Sequence, residues 1–396
     1  MSRPNAVLLA ILVSLATPAF SAERAAGTTI DAPAAAVPDP RDDIDPATGL
    51  ARTTVVKPLT DVPAVRDAPR AAQPARAHIA LILPTSSPAL GRLADAVRQG
   101  FAAAAAAAGK EALPVILTAI DNESTALPGA CAAAQAAGAA IVVAAITRDG
   151  ASTLAKSDCA RRPVLALNDP QAAPSELPPN LYTVSLSLEN EARQVALLAT
   201  DNAGNSAVVI SSGSPLSKRV QEAFEREWTR DAGQVAARIV FTGGPDDAPL
   251  IRERLAAVRA DLVFLALDQP EARLVRPYIS GMLPLYATSM SVNPRAEAVV
   301  NVDLQGLRYV EMPWFVQPDH PAVMVYPQPR TMSVEEERLY AFGIDAFRIA
   351  GELTRSERHF PIDGVTGKIT LEGSHFNRAL TAAEVDGGRV IPLRAP

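Results

Sequence analysis

The chain has 396 residues, 48 % of them hydrophobic and 20 % charged, with 37 basic against 43 acidic side chains and a net charge of −6. That length suits two or three domains with sizeable cores, and the slight acid excess lacks the basic surplus of a nucleic-acid binder. Aromatics at 5 % leave no stacking platform for bases or sugars, so no nucleic-acid partner is expected.

The chain opens with Arg3, an apolar run over 6–16, then Ala19-Phe20-Ser21-Ala22-Glu23. A basic start, a short apolar run and small residues before a charge describe a secretory signal peptide, here 1–21. The run is too short to span a membrane, which takes roughly 20 apolar residues. A periplasmic protein, soluble after cleavage, is expected; no cysteine stands nearby, so no lipid anchor is expected. Residues 22–77 carry prolines at 33, 38, 40, 46, 58, 63, 69 and 74 with no apolar period, and read as a disordered Pro/Ala-rich linker. The 34 prolines of the whole chain exceed the about 20 that average usage gives.

From His78 the texture changes. Apolar runs at 78–83, 115–120, 140–146, 163–167, 207–210, 237–241, 262–267 and 283–286 read as strands, with helical stretches between most of them. That alternation predicts an α/β fold of mostly parallel sheets flanked by helices. The strands are too many for one comfortable sheet, so two lobes with a cleft between them are expected. Leu216, Val220, Ala223, Phe224 and Trp228 form one helix stripe, and Leu339, Phe342, Ala346, Ile349 and Leu353 another, the latter behind a capping box of Ser333 and Glu336. Cys131 and Cys159 are a disulfide candidate in an oxidising compartment; two buried small hydrophobes is the other reading.

The search for catalytic motifs is nearly empty. There is no G-x-S-x-G, no P-loop, no G-x-G-x-x-G, and none of the five lysines follows a serine by three residues. His78, His320, His359 and His375 show no metal-ligand spacing. Asp246-Asp247 and Glu335-Glu336-Glu337 read as solvated helix starts favoured by the dipole. No enzyme, metal or cofactor is expected. Loops at the carboxyl ends of the strands are the natural ligand contacts of such sheets. They offer Thr85, Ser86 and Ser87, then Thr147 and Arg148, Asn168, Ser212, Asp268, and Thr288 with Ser289. Each of these is also a candidate helix cap.

Several stretches together resemble a known family. Arg219 with Ala223-Phe224 and Trp228, residues 260–266, 272–277 and 283–289, Asp303-Leu304-Gln305-Gly306 and Met312-Pro313-Trp314 carry the resemblance. Leu165-Ala166-Leu167-Asn168, 189–192, Gly343-Ile344-Asp345-Ala346 and Asp363-Gly364-Val365-Thr366-Gly367 agree. They are similar to the LppC/LpoA family of penicillin-binding protein activators, over about 78–396. The family's usual lipobox cysteine and long N-terminal helical-repeat region find no counterpart, and the Pro/Ala-rich stretch stands in their place. The resemblance implies a two-lobed type I periplasmic-binding-protein-like fold, with lobe 1 at 78–187 plus 310–356 and lobe 2 at 188–309 plus 357–396. It also implies a non-enzymatic activator or scaffold that docks on a class A penicillin-binding protein and stimulates peptidoglycan synthesis. The alternative is a periplasmic solute-binding protein of a transport system, holding an amino acid or similar small polar ligand in the interlobe cleft.

Overall fold

Six consecutive buried residues form β1 (His78–Leu83). Ile79, Leu81 and Leu83 face one layer while Ala80 and Ile82 face the other, so a strand covered on both sides reads as an unbroken apolar run. The computed structural model describes residues 76–393 except 202, 203, 231 and 245. The expected signal peptide, and the expected linker up to residue 75, lie outside the described residues. The described residues belong to one compact unit.

Lobe 1 begins with β1, α1 (Gly91–Ala108), β2 (Val115–Ala119), α2 (Glu123–Ala136), β3 (Ala139–Ala144), α3 (Arg148–Ala155), β4 (Val164–Ala166) and β5 (Leu181–Val184). The chain crosses at 185–187 into lobe 2: α4 (Leu188–Thr200), β6 (Ser206–Ser211), α5 (Pro215–Arg230), β7 (Gln234–Val240), α6 (Ala248–Ala256) and β8 (Leu262–Ala266). There follow α7 (Gln269–Val275), β9 (Leu285–Ala287), α8 (Ala298–Asn301) and β10 (Leu307–Glu311). It returns through α9 (Pro313–Val316), α10 (Pro321–Met324), α11 (Val334–Leu353) and the hairpin strands β11 (Ile362–Gly364), β12 (Gly367–Glu372) and β13 (His375–Ala379). A third crossing at Leu380 leads to β14 (Thr381–Asp386) and β15 (Arg389–Pro392).

The first sheet runs β11-β12-β13-β5-β4-β3-β1-β2 and the second β15-β14-β10-β9-β8-β6-β7. Pairing is parallel from β1 to β5 and from β6 to β10, with antiparallel strands added at one edge of each sheet. The strands between 362 and 379 therefore belong with the first sheet, and Val310 and Glu311 with the second, whereas the sequence reading had put 357–396 in lobe 2 and 310–356 in lobe 1. The cause is local. These strands are short and half polar, and only their pairing tells which sheet they join.

Helices α1 and α11 cover one face of the first sheet at backbone contact. A Cβ on Gly100 would stand 1.8 Å from the Tyr340 carbonyl oxygen, and one on Gly343 would stand 2.2 Å from that of Val97. Helices α2 and α3 cover the other face, and a disulfide joins Cys131 of α2 to Cys159, with Cα atoms 5.9 Å apart. In lobe 2, Phe224 of α5 stacks on Phe264 of β8 with centroids 3.9 Å apart, and on Trp228 at 5.8 Å. Leu216, read as part of that stripe, is 39 % exposed: it lies in the first turn of α5, beyond the sheet. Ser333 and Glu336 form the expected capping box on α11.

Candidate functional site

Three chain crossings leave a cleft between the lobes, and ion pairs of the molecule's own making bridge it. Arg338 of α11 donates Nη1 to Glu311 Oε1 at 2.6 Å and Nη2 to Oε2 at 2.7 Å, a two-pronged pair whose carboxylate is fully buried. Burial opposes the charge on Arg338. Glu311 beside it, then Glu191 and Tyr309, outweigh that and hold the guanidinium above its usual range. Arg295 of lobe 2 reaches Glu337 of α11 with Nε 3.0 Å from Oε2, and Trp314 donates its indole N–H to the same carboxylate at 2.8 Å. Arg295 and Arg338 both lie over the Phe315 ring, each 5.0 Å from its centroid.

At the other end of the cleft Glu189, at the start of α4, accepts from Arg148 of lobe 1 at 2.8 Å and from Arg219 at 2.9 Å. Burial alone would raise Glu189, but its own backbone N–H, Arg219, Arg148 and Ser187 hold it below the usual carboxyl range. Two residues on, Glu191 is fully buried, and desolvation pushes it up despite Arg338 and the Ser289 N–H at 3.0 Å. Arg148 was a ligand candidate and Glu337 part of an acidic run, but Glu311, Arg338 and Arg295 were not singled out from the sequence, and none of the pairings was. A signal was present: Glu191 stands four residues before Val195 on the buried stripe of α4, and Arg338 four before Phe342 on that of α11.

A cavity of about 450 Å³ remains beside these pairs, and of the ten candidate ligand residues it is lined by Asp268 and Ser289. Asp268 also caps α7 in a reciprocal box with Glu271. The others are placed elsewhere or already engaged. Thr147 caps α3 and, with its backbone N–H and that of Ile146, holds the buried carboxylate of Glu123; Arg148 is in the Glu189 triad. Asn168 donates to the Ile146 carbonyl at 2.9 Å, Ser212 donates to Ser214 at 3.3 Å, and Ser87 accepts from the Leu90 N–H at 3.4 Å. Thr85 is half-buried, Ser86 exposed, and Thr288 fully buried with no partner for its hydroxyl among the described residues. The run 335–337 opens α11 with Glu335 exposed, but it is not solvated throughout: Glu336 closes the cap and pairs with Arg92, while Glu337 is buried.

A second hollow, of about 730 Å³, lies behind the crossings where β5 and β13 run side by side. There Asp169 accepts from Ser185 Oγ at 2.5 Å and faces His375 Nδ1 at 3.2 Å, with Thr183 Oγ1 2.8 Å from the same nitrogen. Both hydroxyl and carboxylate therefore meet Nδ1. A nucleophile–base–acid relay needs them on opposite ring nitrogens, so this trio is not one. Among the described residues no group of three or more His, Cys, Asp or Glu side chains is placed to hold a metal, and no helix is long and apolar enough to cross a membrane.

Residues 64–248 and 254–388 match the family described as "LppC putative lipoprotein". The chain belongs to the LppC family. Curated relatives named penicillin-binding protein activator LpoA include that of Enterobacter sp. (strain 638), 26 % identical over 321 residues, covering 69 % of this chain and 44 % of the relative. That of Escherichia coli (strain K12) is 25 % identical over 319 residues, covering 69 % and 47 %. The chain spans about half the length of the curated relatives it matches. Among solved structures, a Chromobacterium violaceum protein described as a "putative branched-chain amino acid ABC transporter" is 35 % identical with a TM-score of 0.66, covering 78 % of this chain and all of that one. The C-domain of Haemophilus influenzae LpoA, described as a regulator of PBP1A, also scores 0.66 at 22 % identity, covering 80 % of this chain and all of that one. At that identity the likeness is one of fold. The LppC chain thus has the two-lobed, periplasmic-binding-protein-like fold that its motifs implied.

Proposed function

We propose that this protein works in the periplasm as a non-enzymatic activator that docks on a class A penicillin-binding protein and stimulates peptidoglycan synthesis. Membership of the LppC family and the activator names of its curated relatives support this reading. The observation that carries it within the chain is the cleft: Arg338–Glu311, Arg295–Glu337 and Arg148–Glu189 tie lobe to lobe with the molecule's own charges. A solute-binding protein closes around its ligand by hinge motion, and bonds already made across the cleft oppose that cycle. Recognition then falls to the outer surface. Surface plasmon resonance of the full chain against an immobilised class A penicillin-binding protein from the same organism should give saturable binding. Absence of binding to any such synthase of that organism would refute the docking role.

The solute-binding reading is favoured by two observations, the 35 % identical Chromobacterium relative and the cavity of about 450 Å³ at Asp268 and Ser289. Isothermal titration with the common amino acids separates the two. Under this second reading a ligand binds saturably and Ser289→Ala weakens it; under the first, Ser289→Ala changes nothing.

A further inference from the structure

The hollow behind the crossings has an origin in the sheet itself. On one face of the first sheet, α2 and α3 cover β1, β3 and β4, and Leu181 of β5 is the last apolar side chain of that layer. Two residues on stands Thr183, level with His375 of β13; residues i and i+2 share a face, so Thr183, His375 and Asn377 form a polar strip where the helix layer stops. An open sheet face is ordinarily polar and wet. This one is walled: the loop carrying Pro170 and Leu177 borders one side and Arg193 of α4 the other of a half-open hollow of about 730 Å³, within the size range of small-molecule sites.

The side chains differ in how they are satisfied. Asp169 is spent on its neighbours. Desolvation would raise it, but His375, Ser185 and Thr183 hold it below the usual carboxyl range. A carboxylate only accepts, so Nδ1 of His375 is the nitrogen placed to carry a proton toward Asp169. Nε2 is left without a protein partner among the described residues. Among the described residues Arg193 has one hydrogen bond, at 3.5 Å to Asn190 Oδ1, and the side chain of Asn377 has none.

We propose that this hollow is a ligand site for a small monocarboxylate with an apolar body, its carboxylate taken by the Arg193 guanidinium and the Asn377 amide beside the His375 ring, and its body laid on Pro170 and Leu177. An Arg fork matches a carboxylate in geometry as well as in charge. Glu372, exposed at the rim, repels a second negative group, which selects one carboxylate over two. The site joins lobe 1 to α4 of lobe 2, beside the clamp in which Gln194 binds the Arg378 carbonyl and the Leu380 N–H, both at 2.9 Å. An occupant would therefore brace the crossings from behind.

The test uses the full chain, with the ring signals of His375 followed by NMR and assigned with His375→Gln. Butyrate and benzoate are titrated in, alongside succinate and the neutral butyramide and benzamide. The expected result is a saturable shift of the His375 signals with butyrate or benzoate, weaker binding of succinate, and no response to either amide. Arg193→Gln should weaken binding at least about tenfold, the worth of one charged hydrogen bond, and Asn377→Leu should weaken it in a chain that keeps Arg193. Ser289→Ala, in the interlobe cavity, should leave it unchanged. No saturable shift in the folded protein, an equal response to acid and amide, or loss of binding with Ser289→Ala but not with Arg193→Gln would overturn the proposal. The assay contains no synthase, so its failure leaves the activator reading standing.

Discussion

In the cleft, Arg338, Glu311, Arg295, Glu337 and Glu189 each have a charged partner of opposite sign within the chain. Behind the crossings, the hollow holds an arginine, an imidazole nitrogen and an amide with almost nothing to bond. The same residue types thus serve opposite ends. Charges that meet one another across a lobe boundary are structural, and removing one leaves its partner buried and unpaired. Polar groups that line a cavity without partners cost little to remove, because little native bonding depends on them.

The largest expected effect breaks the cleft side of that contrast. Arg338→Ala strands Glu311, fully buried, and should lower stability by about 3–5 kcal/mol, read from chemical denaturation. Arg338→Met combined with Glu311→Leu should recover most of the loss; a single variant as stable as the parent would show that the pair is not structural.

Two carboxylates on α4 sharpen it through pH. A carboxyl held above its ordinary range, as Glu191 is, binds its proton more readily folded than unfolded. Stability therefore falls as pH rises from the ordinary glutamate range through the raised value. Glu189 is held below its range; its stabilisation is present above the ordinary value and is lost as pH drops through the depressed one. Glu191→Gln should flatten the decline on the neutral side and Glu189→Gln the decline on the acid side, checked by denaturation midpoints against pH. Unchanged profiles in both would contradict the assignment.

Smaller still is the Glu189 triad itself at neutral pH. Arg148 and Arg219 are 44 % and 46 % exposed, so solvent screens them, and Glu189→Gln should cost at most about 1 kcal/mol, less in high salt. Smallest is the hollow: Arg193→Ala should move stability by no more than about 0.5 kcal/mol. A loss of several kcal/mol there would mean that its guanidinium, too, is structural.

How legible the molecule was follows the same division. Strand β1 could be read to the residue, since burial on both faces leaves six residues in a row with little room for polarity. Strands β6 and β8 were nearly as plain. Strand β5, Leu-Tyr-Thr-Val, is too short to stand out. Strands β11 to β15, added at one end of each sheet, mix Asp, Lys, Glu, His and Arg into a period-two pattern because one side meets solvent. Most of the candidate loop residues sit at strand ends, yet Arg148 already belongs to α3, and hydroxyls such as that of Thr147 bond locally as caps. What was out of reach was Glu311 against Arg338, two charges on separate elements whose meeting depends on how the lobes close. The fold is written in local patterns; the site is written in contacts between distant ones.

The proposed role is docking on a cell-wall synthase, with the interlobe cleft held by the chain's own ion pairs. Its most direct test is the rate of glycan-strand polymerisation by a purified class A penicillin-binding protein from the same organism, measured with and without the full chain. The account predicts a rate that rises with added protein and saturates at a fixed stoichiometry. A rate that stays flat when the chain is in excess over the synthase would contradict it.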